Sequence, residues 1–97
     1  VAGPNEIIHQ SVRLKIMSAL NAQRDPLDFT RLKAIVQATD GNLGAHLVTL
    51  ETAGYVGIDK AFVGKRPRTQ VRLTPEGRRA FADHVAYLRE ILDATGL

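Results

Sequence analysis

Ile8, Val12, Ile16 and Leu20 recur at every fourth position, a spacing that predicts a helix from about Ile7 to Ala22. Leu14 and Met17 fall on a different side, so this helix is apolar on two faces where a small core needs one. The second face is expected to lie against another element, with a partner subunit as one choice. Pro26 pushes the residue before it away from helical geometry, so Asp25-Pro26 ends the helix. Asp28 is then placed as the N-cap of a second helix, with Leu27 and Leu32 at the spacing of a hydrophobic staple. Leu32, Ile35 and Val36 are expected to face the core. Thr39-Asp40-Gly41 breaks the pattern, and either Thr39 or Asp40 is suited to cap the helix that follows.

In the third helix Leu43, Leu47 and Leu50 stand at i, i+4 and i+7 and define the buried side, and Ala53-Gly54 supplies a glycine stop. Ala45, Val48, Thr49 and Thr52 project to the opposite side, with Asn42, Gly44 and His46 toward the flanks. Val56, Ile58 and Phe62 on one arm and Val71 and Leu73 on the other alternate as strands do, although Lys60 interrupts the apolar phase. A bulge or a wet strand end would accommodate it. Thr74-Pro75-Glu76 combines a capping hydroxyl, a proline at the first position and an acid in the first turn, and so starts a helix that runs to about Ala94. Phe81, Val85, Leu88 and Leu92 form its stripe, widened by His84, Tyr87 and Ile91. That is again more apolar surface than one small core requires. The expected fold is mainly α with a small β-hairpin (α+β), in the order α-α-α-β-wing-β-α, with residues 1–97 as one domain.

Charge sharpens this picture. Thirteen Lys and Arg against ten Asp and Glu leave a net charge of only +3, but five of those cations lie between Lys60 and Arg72, a run with no acid and with Gly64 and Pro67 at its middle. A solubilising surface turn is the plain explanation of such a run. Its place directly after a short helix gives it a second one, a helix sized for a major groove followed by a cationic loop that reaches the neighbouring backbone. Gly44 adds to this, because glycine inside a helix costs ~1 kcal/mol against alanine and close approach of a partner would give it a reason.

Other chemistry is thinly represented. The chain has no cysteine, which excludes disulfides, thiolate nucleophiles and Cys-based metal sites. His9, His46 and His84 lack zinc-site spacing, so no metal or cofactor is expected. Asp28, Asp40 and Glu76 sit at helix starts, where capping accounts for them. No catalytic constellation stands out, and the chain is not expected to be an enzyme. No apolar run approaches the ~18 residues of a membrane span, and Val1-Ala2-Gly3-Pro4 lacks the layout of a signal peptide, so a soluble, cytoplasmic protein is expected.

With that order of elements, the chain resembles the single-domain winged-helix regulators grouped near the MarR and ArsR families. The resemblance is carried by Arg13-Leu14-Lys15-Ile16, Phe29-Thr30-Arg31-Leu32-Lys33, Asp40-Gly41-Asn42-Leu43-Gly44-Ala45-His46-Leu47 and Leu50-Glu51-Thr52-Ala53-Gly54-Tyr55-Val56. It continues through Phe62-Val63-Gly64-Lys65-Arg66-Pro67-Arg68-Thr69 and Leu73-Thr74-Pro75-Glu76-Gly77-Arg78. It implies a cytoplasmic bacterial or archaeal regulator that binds double-stranded DNA as a homodimer built through its first and last helices, residues 7–24 and 75–94. The recognition helix would be 42–53, presenting Asn42, Gly44, Ala45, His46, Val48 and Thr49. The wing would be 64–69, with Lys65, Arg66, Arg68 and Thr69 on backbone or minor groove. Leu14, Met17, Phe81, His84, Val85, Tyr87, Leu88, Ile91 and Leu92 would form the dimer interface.

The chain departs from the family where serine is common and Gly44 stands, and where arginine or lysine is common and Val48 and Thr49 stand. That leaves Asn42 and His46 as polar readers and Val48 or Thr49 for thymine methyl groups. The same uncharged face suits a winged helix used as a protein-interaction module, the alternative reading. Similar regulators take a small-molecule effector between the first and last helices. No polar cluster here identifies one, and His84 and Tyr87 are the residues nearest to such a site.

Overall fold

Residues 3–96 are described in the computed structural model, in the order α1 (Glu6–His9), α2 (Ser11–Asn21), β1 (Leu27–Asp28), α3 (Phe29–Val36), α4 (Asp40–Thr52), β2 (Val56–Val63), β3 (Arg66–Leu73) and α5 (Pro75–Ala94). The chain is mostly helical with one antiparallel sheet, ordered β1-β3-β2, as the sequence predicts apart from β1. Leu27 pairs with Val71 and Asp28 with Gln70, so a two-residue strand extends the hairpin's root.

The expected first helix is two helices. Gln10 adopts an extended conformation (φ −65°, ψ 133°) and its side chain accepts the Arg13 N–H to cap α2, while the Asn5 side chain accepts the Ile7 and Ile8 N–H groups to cap α1. The break turns α1 onto α5. There the Asn5 N–H donates to His84 Nδ1 (3.2 Å) and its side-chain amide donates to the Tyr55 hydroxyl (3.0 Å).

The core gathers one stripe from every helix. Ile8, Ile16, Met17, Leu20, Leu32, Val36, Leu43, Leu47, Leu50 and Phe81 meet Leu27, Val56 and Val71 from the sheet. Ile35, expected among them, is 46% exposed, because α3 is only eight residues long and turns Leu32 and Val36 inward. It lies over a shallow apolar groove with Leu14, Ala19 and Ala22. Gln37 ends α3 in the left-handed conformation (φ 56°), and Lys33 and Asp40 form an ion pair of 2.7 Å across the turn into α4.

Two helix ends are tied together below the hairpin. At the end of α4 the Gly54 N–H donates to the Glu51 carbonyl and the Tyr55 N–H to the Leu50 carbonyl, with Gly54 at φ +82°, the bonding of a Schellman stop. Thr74 Oγ1 accepts the Gly77 N–H (2.9 Å) to start α5 and donates to the Gly54 carbonyl (2.6 Å). A Cβ at Gly77 would lie 2.1 Å from the Tyr55 carbonyl oxygen, so only glycine permits this approach. Thr74 and Gly77 therefore fix where the hairpin leaves the body relative to α4.

Candidate nucleic-acid interface

α4 begins with the Thr39 hydroxyl accepting the Asn42 N–H (3.2 Å), one of the two caps the sequence allowed. Leu43, Leu47 and Leu50 are buried and hold the helix along its length. Its other side is open to solvent at Asn42, Ala45, Val48 (60% exposed), Thr49 and Thr52, with Gly44 and His46 half-buried. The Thr49 hydroxyl donates back to the Ala45 carbonyl (3.4 Å), which commits its proton to the helix. A Cβ built on Gly44 meets nothing within 4 Å, so nothing among the described residues requires glycine there.

His46 is not a bare surface imidazole. The Arg13 guanidinium stands 3.0 Å from its Nδ1, and arginine can only donate, so Nδ1 accepts and Nε2 carries the proton. Burial, and then the charge of Arg13, hold the ring's pKa below its ordinary 6.5. His46 thus offers an N–H donor from Nε2.

The hairpin differs from the expected wing in its extent. β2 and β3 stay paired as far as Val63 opposite Arg66, so the turn is only Gly64-Lys65, with Gly64 at φ +64°, and Arg66 to Thr69 belong to a strand. Counted from this two-residue turn, Pro67 opposite Phe62 falls at a non-hydrogen-bonded pair, where its missing N–H costs the ladder nothing. Alternation gives the hairpin two chemically distinct sides. Ile58 and Val71, Lys60 and Thr69, and Phe62 and Pro67 share one; Arg72, Arg68 and Arg66 share the other.

The cations are not equivalent. Arg68 Nε lies 3.3 Å from the Asp28 carboxylate, which also accepts from Gln70, and Arg72 Nε lies 3.2 Å from Asp59. Asp28 therefore occupies the N-cap position of α3 without making the capping bond expected of it. Lys65 and Arg66 have no acidic partner among the described residues. Lys60, an anomaly in the strand pattern, sits on the wet outer part of β2 and lines a cleft of about 430 Å³ with Thr69, Ile58, Phe29, Gly44, Leu47 and Val48. The sequence signal for it was the one that weakened the strand, a cation in an apolar phase.

The residues expected at a dimer interface separate into two groups. Met17 and His84 are buried within the chain and have no surface to offer a partner, and Phe81 is buried but for an edge that lines a surface groove with Val85 and Ala86. Leu14, Val85, Tyr87 and Leu88 are half-buried, and Ile91 and Leu92 are 42% and 47% exposed on the outer half of α5. The buried His84 stacks on Tyr87 (5.9 Å), meets His9 edge-on (5.4 Å) and has no hydrogen-bond partner for Nε2 among the described residues. Among those residues no His, Cys, Asp or Glu group is arranged to hold a metal ion, and no helix is long and apolar enough to cross a membrane.

Comparison with known proteins agrees with this architecture. Residues 12–92 match the family model described as a winged helix DNA-binding domain. The uncharacterized protein MJ0432 of Methanocaldococcus jannaschii is 37% identical over 87 residues, 90% of each chain. A transcriptional regulator homologue from Pyrococcus horikoshii OT3 superposes with a TM-score of 0.88 at 31% identity, over 96% of this chain and 91% of that one. A MarR-family regulator from Silicibacter pomeroyi shares the fold alone, at a TM-score of 0.72 and 21% identity over 93% of this chain and 59% of its own. The chain belongs to the winged helix DNA-binding domain family and has the architecture of MarR-type transcriptional regulators.

Proposed function

We propose that the protein regulates transcription by binding double-stranded DNA sequence-specifically as a homodimer, with α4 in the major groove and residues 64–69 on the flanking backbone or minor groove. One observation carries this reading: Gly44 and Val48 on the uncharged side of α4 line one cleft with Lys60 and Thr69 of the hairpin, whose acid-free cationic run continues outward to Lys65 and Arg66. A helix ~10–12 Å across fits a major groove ~12 Å wide, and small residues such as Gly44 and Ala45 let it seat deeply. Asn42 is suited to the N6 and N7 of adenine, His46 Nε2–H to an acceptor on a base edge, and Val48 and Thr49 to thymine methyl groups. Lys65 and Arg66 supply the unpaired charge for phosphate, with Arg68 and Thr69 behind them. Leu14, Val85, Tyr87, Leu88, Ile91 and Leu92 remain as the apolar set for a second subunit.

Fluorescence anisotropy of a mixed-sequence duplex titrated with the protein at several salt concentrations tests the DNA reading. Log affinity should fall linearly with log salt. Absence of binding at low salt would remove DNA as the partner and favour the protein-interaction module. Sedimentation equilibrium on the same sample should give twice the chain mass; a monomer would remove the dimer.

A further inference from the structure

The far end of the hairpin carries an aromatic side chain that the fold does not use. Phe62 is 73% exposed and lies opposite Pro67, on the side of the hairpin that faces the cleft. That side serves the core only as far as Ile58 and Val71; the Lys60–Thr69 and Phe62–Pro67 pairs lie beyond it. A hairpin kept soluble by its tip would carry polar residues here, and a bare phenylalanine works against that purpose. No acid occurs from Lys60 to Gln70, whereas Lys60 lies two residues from Phe62 on the same side, Lys65 stands in the turn and Arg66 flanks the tip from the other side. An apolar side chain at a tip with cations along its strand and across its turn suits a partner that is polyanionic outside and apolar within, as a stacked duplex is.

We infer that Phe62, backed by Pro67, is a wedge that enters the DNA minor groove, partly unstacks one base step and bends the duplex. The inference rests on the DNA-binding reading and deepens it. From Ile58, the last core residue on this side, to Phe62 the strand advances about 13 Å at about 3.3 Å per residue, which carries the phenyl group off α4 toward the minor groove beside the major groove that α4 occupies. Phosphate contacts by Lys60, Lys65 and Arg66 hold the tip in place, and Pro67, with φ fixed by its ring, stiffens the strand behind the phenyl group. Pyrimidine–purine steps unstack most readily, so the wedge selects sequence at a position where no hydrogen bond reads a base.

The test uses the full chain and a pool of random-sequence duplexes of one length, about 30 base pairs, with donor and acceptor dyes at the two ends. Saturation with wild type should raise energy transfer, and the retained duplexes should be enriched in TA or CA steps. Phe62→Ala should still bind with the same salt slope but lose the rise and the enrichment; Phe62→Leu, which keeps an apolar wedge, should retain most of both. Circular dichroism should match for all three proteins, since residue 62 lies outside the core. Bound wild type with no rise, or a rise that survives in Phe62→Ala, would overturn the wedge and leave DNA binding standing. No binding of the pool at low salt would overturn both.

Discussion

α4 and the hairpin face the same cleft but are held in opposite ways. Three buried leucines anchor α4 along its length, and its exposed face carries no Lys or Arg. The hairpin is anchored at its root, by Val56, Val71 and the half-buried Ile58 and Leu73, and its unpaired cations sit on the unsupported outer half. The difference separates two jobs within one interface. A rigid, uncharged helix suits shape and base-edge contacts, whose geometry must be held, whereas charge acts over a Debye length of roughly 10 Å at 0.1 M salt and tolerates a mobile support.

That separation breaks most visibly in the core. Leu47→Ala should cost about 2–5 kcal/mol of stability through lost burial and a cavity, while Phe62→Ala should stay within about 0.5 kcal/mol of wild type. Urea unfolding of the two variants reads the contrast, and equal losses would show the hairpin to be as load-sharing as the helix. Next in size is the loss of unpaired charge. Lys65→Ala with Arg66→Ala removes two cations from each subunit and should lower the salt slope of duplex binding by the dimer by about 3.6, whereas Arg68→Ala, already tied to Asp28, should lower it by less than about 1.8.

Gly44→Ala sharpens the comparison further because it sets folding against binding. Its Cβ meets no atom within 4 Å, so the variant should gain up to about 1 kcal/mol of stability from helix propensity. The same methyl group projects where DNA is to approach, so duplex affinity should fall. Unchanged affinity would place the DNA elsewhere.

The smallest effect lies outside both regions. Nδ1 of the buried His84 accepts the Asn5 N–H, which requires a neutral ring, and burial followed by the charge of His9 lowers its pKa below 6.5 against an opposing Glu6. With the folded value below the unfolded one, this contribution is fully present above pH 6.5 and is lost as pH falls through the folded pKa. The urea midpoint of wild type should therefore fall more steeply with acid than that of His84→Phe. Parallel profiles would mean that His84 does not couple α1 to α5.

Much of this was legible in the sequence for local reasons. The leucine spacing and Gly54 stop of α4, the Thr74-Pro75 start of α5 and the strand arms are all written within a few residues of where they act. What was not legible depends on distant partners. Gln10 has no helix-breaking chemistry, and the stripe from Ile8 to Leu20 runs straight across it; the break follows from Asn5 docking on His84, 79 residues away. Asp28 reads as a cap until Arg68 is brought beside it from 40 residues away. Met17, Phe81 and His84 read as spare apolar surface because the count assumed one buried face per helix. Once the chain breaks at Gln10, α2 turns Met17 inward beside Ile16 and Leu20, and Asn5 and His9 pack against His84.

The most direct test of the central claim is to select the protein against a random-sequence duplex pool at two salt concentrations and sequence what is retained. A homodimer with α4 in the major groove predicts an enriched inverted repeat whose half-sites are about 34–36 Å apart, or a multiple of that. Salt-sensitive retention with no enriched sequence would contradict it, leaving a cationic hairpin that grips any duplex beside a helix that reads none.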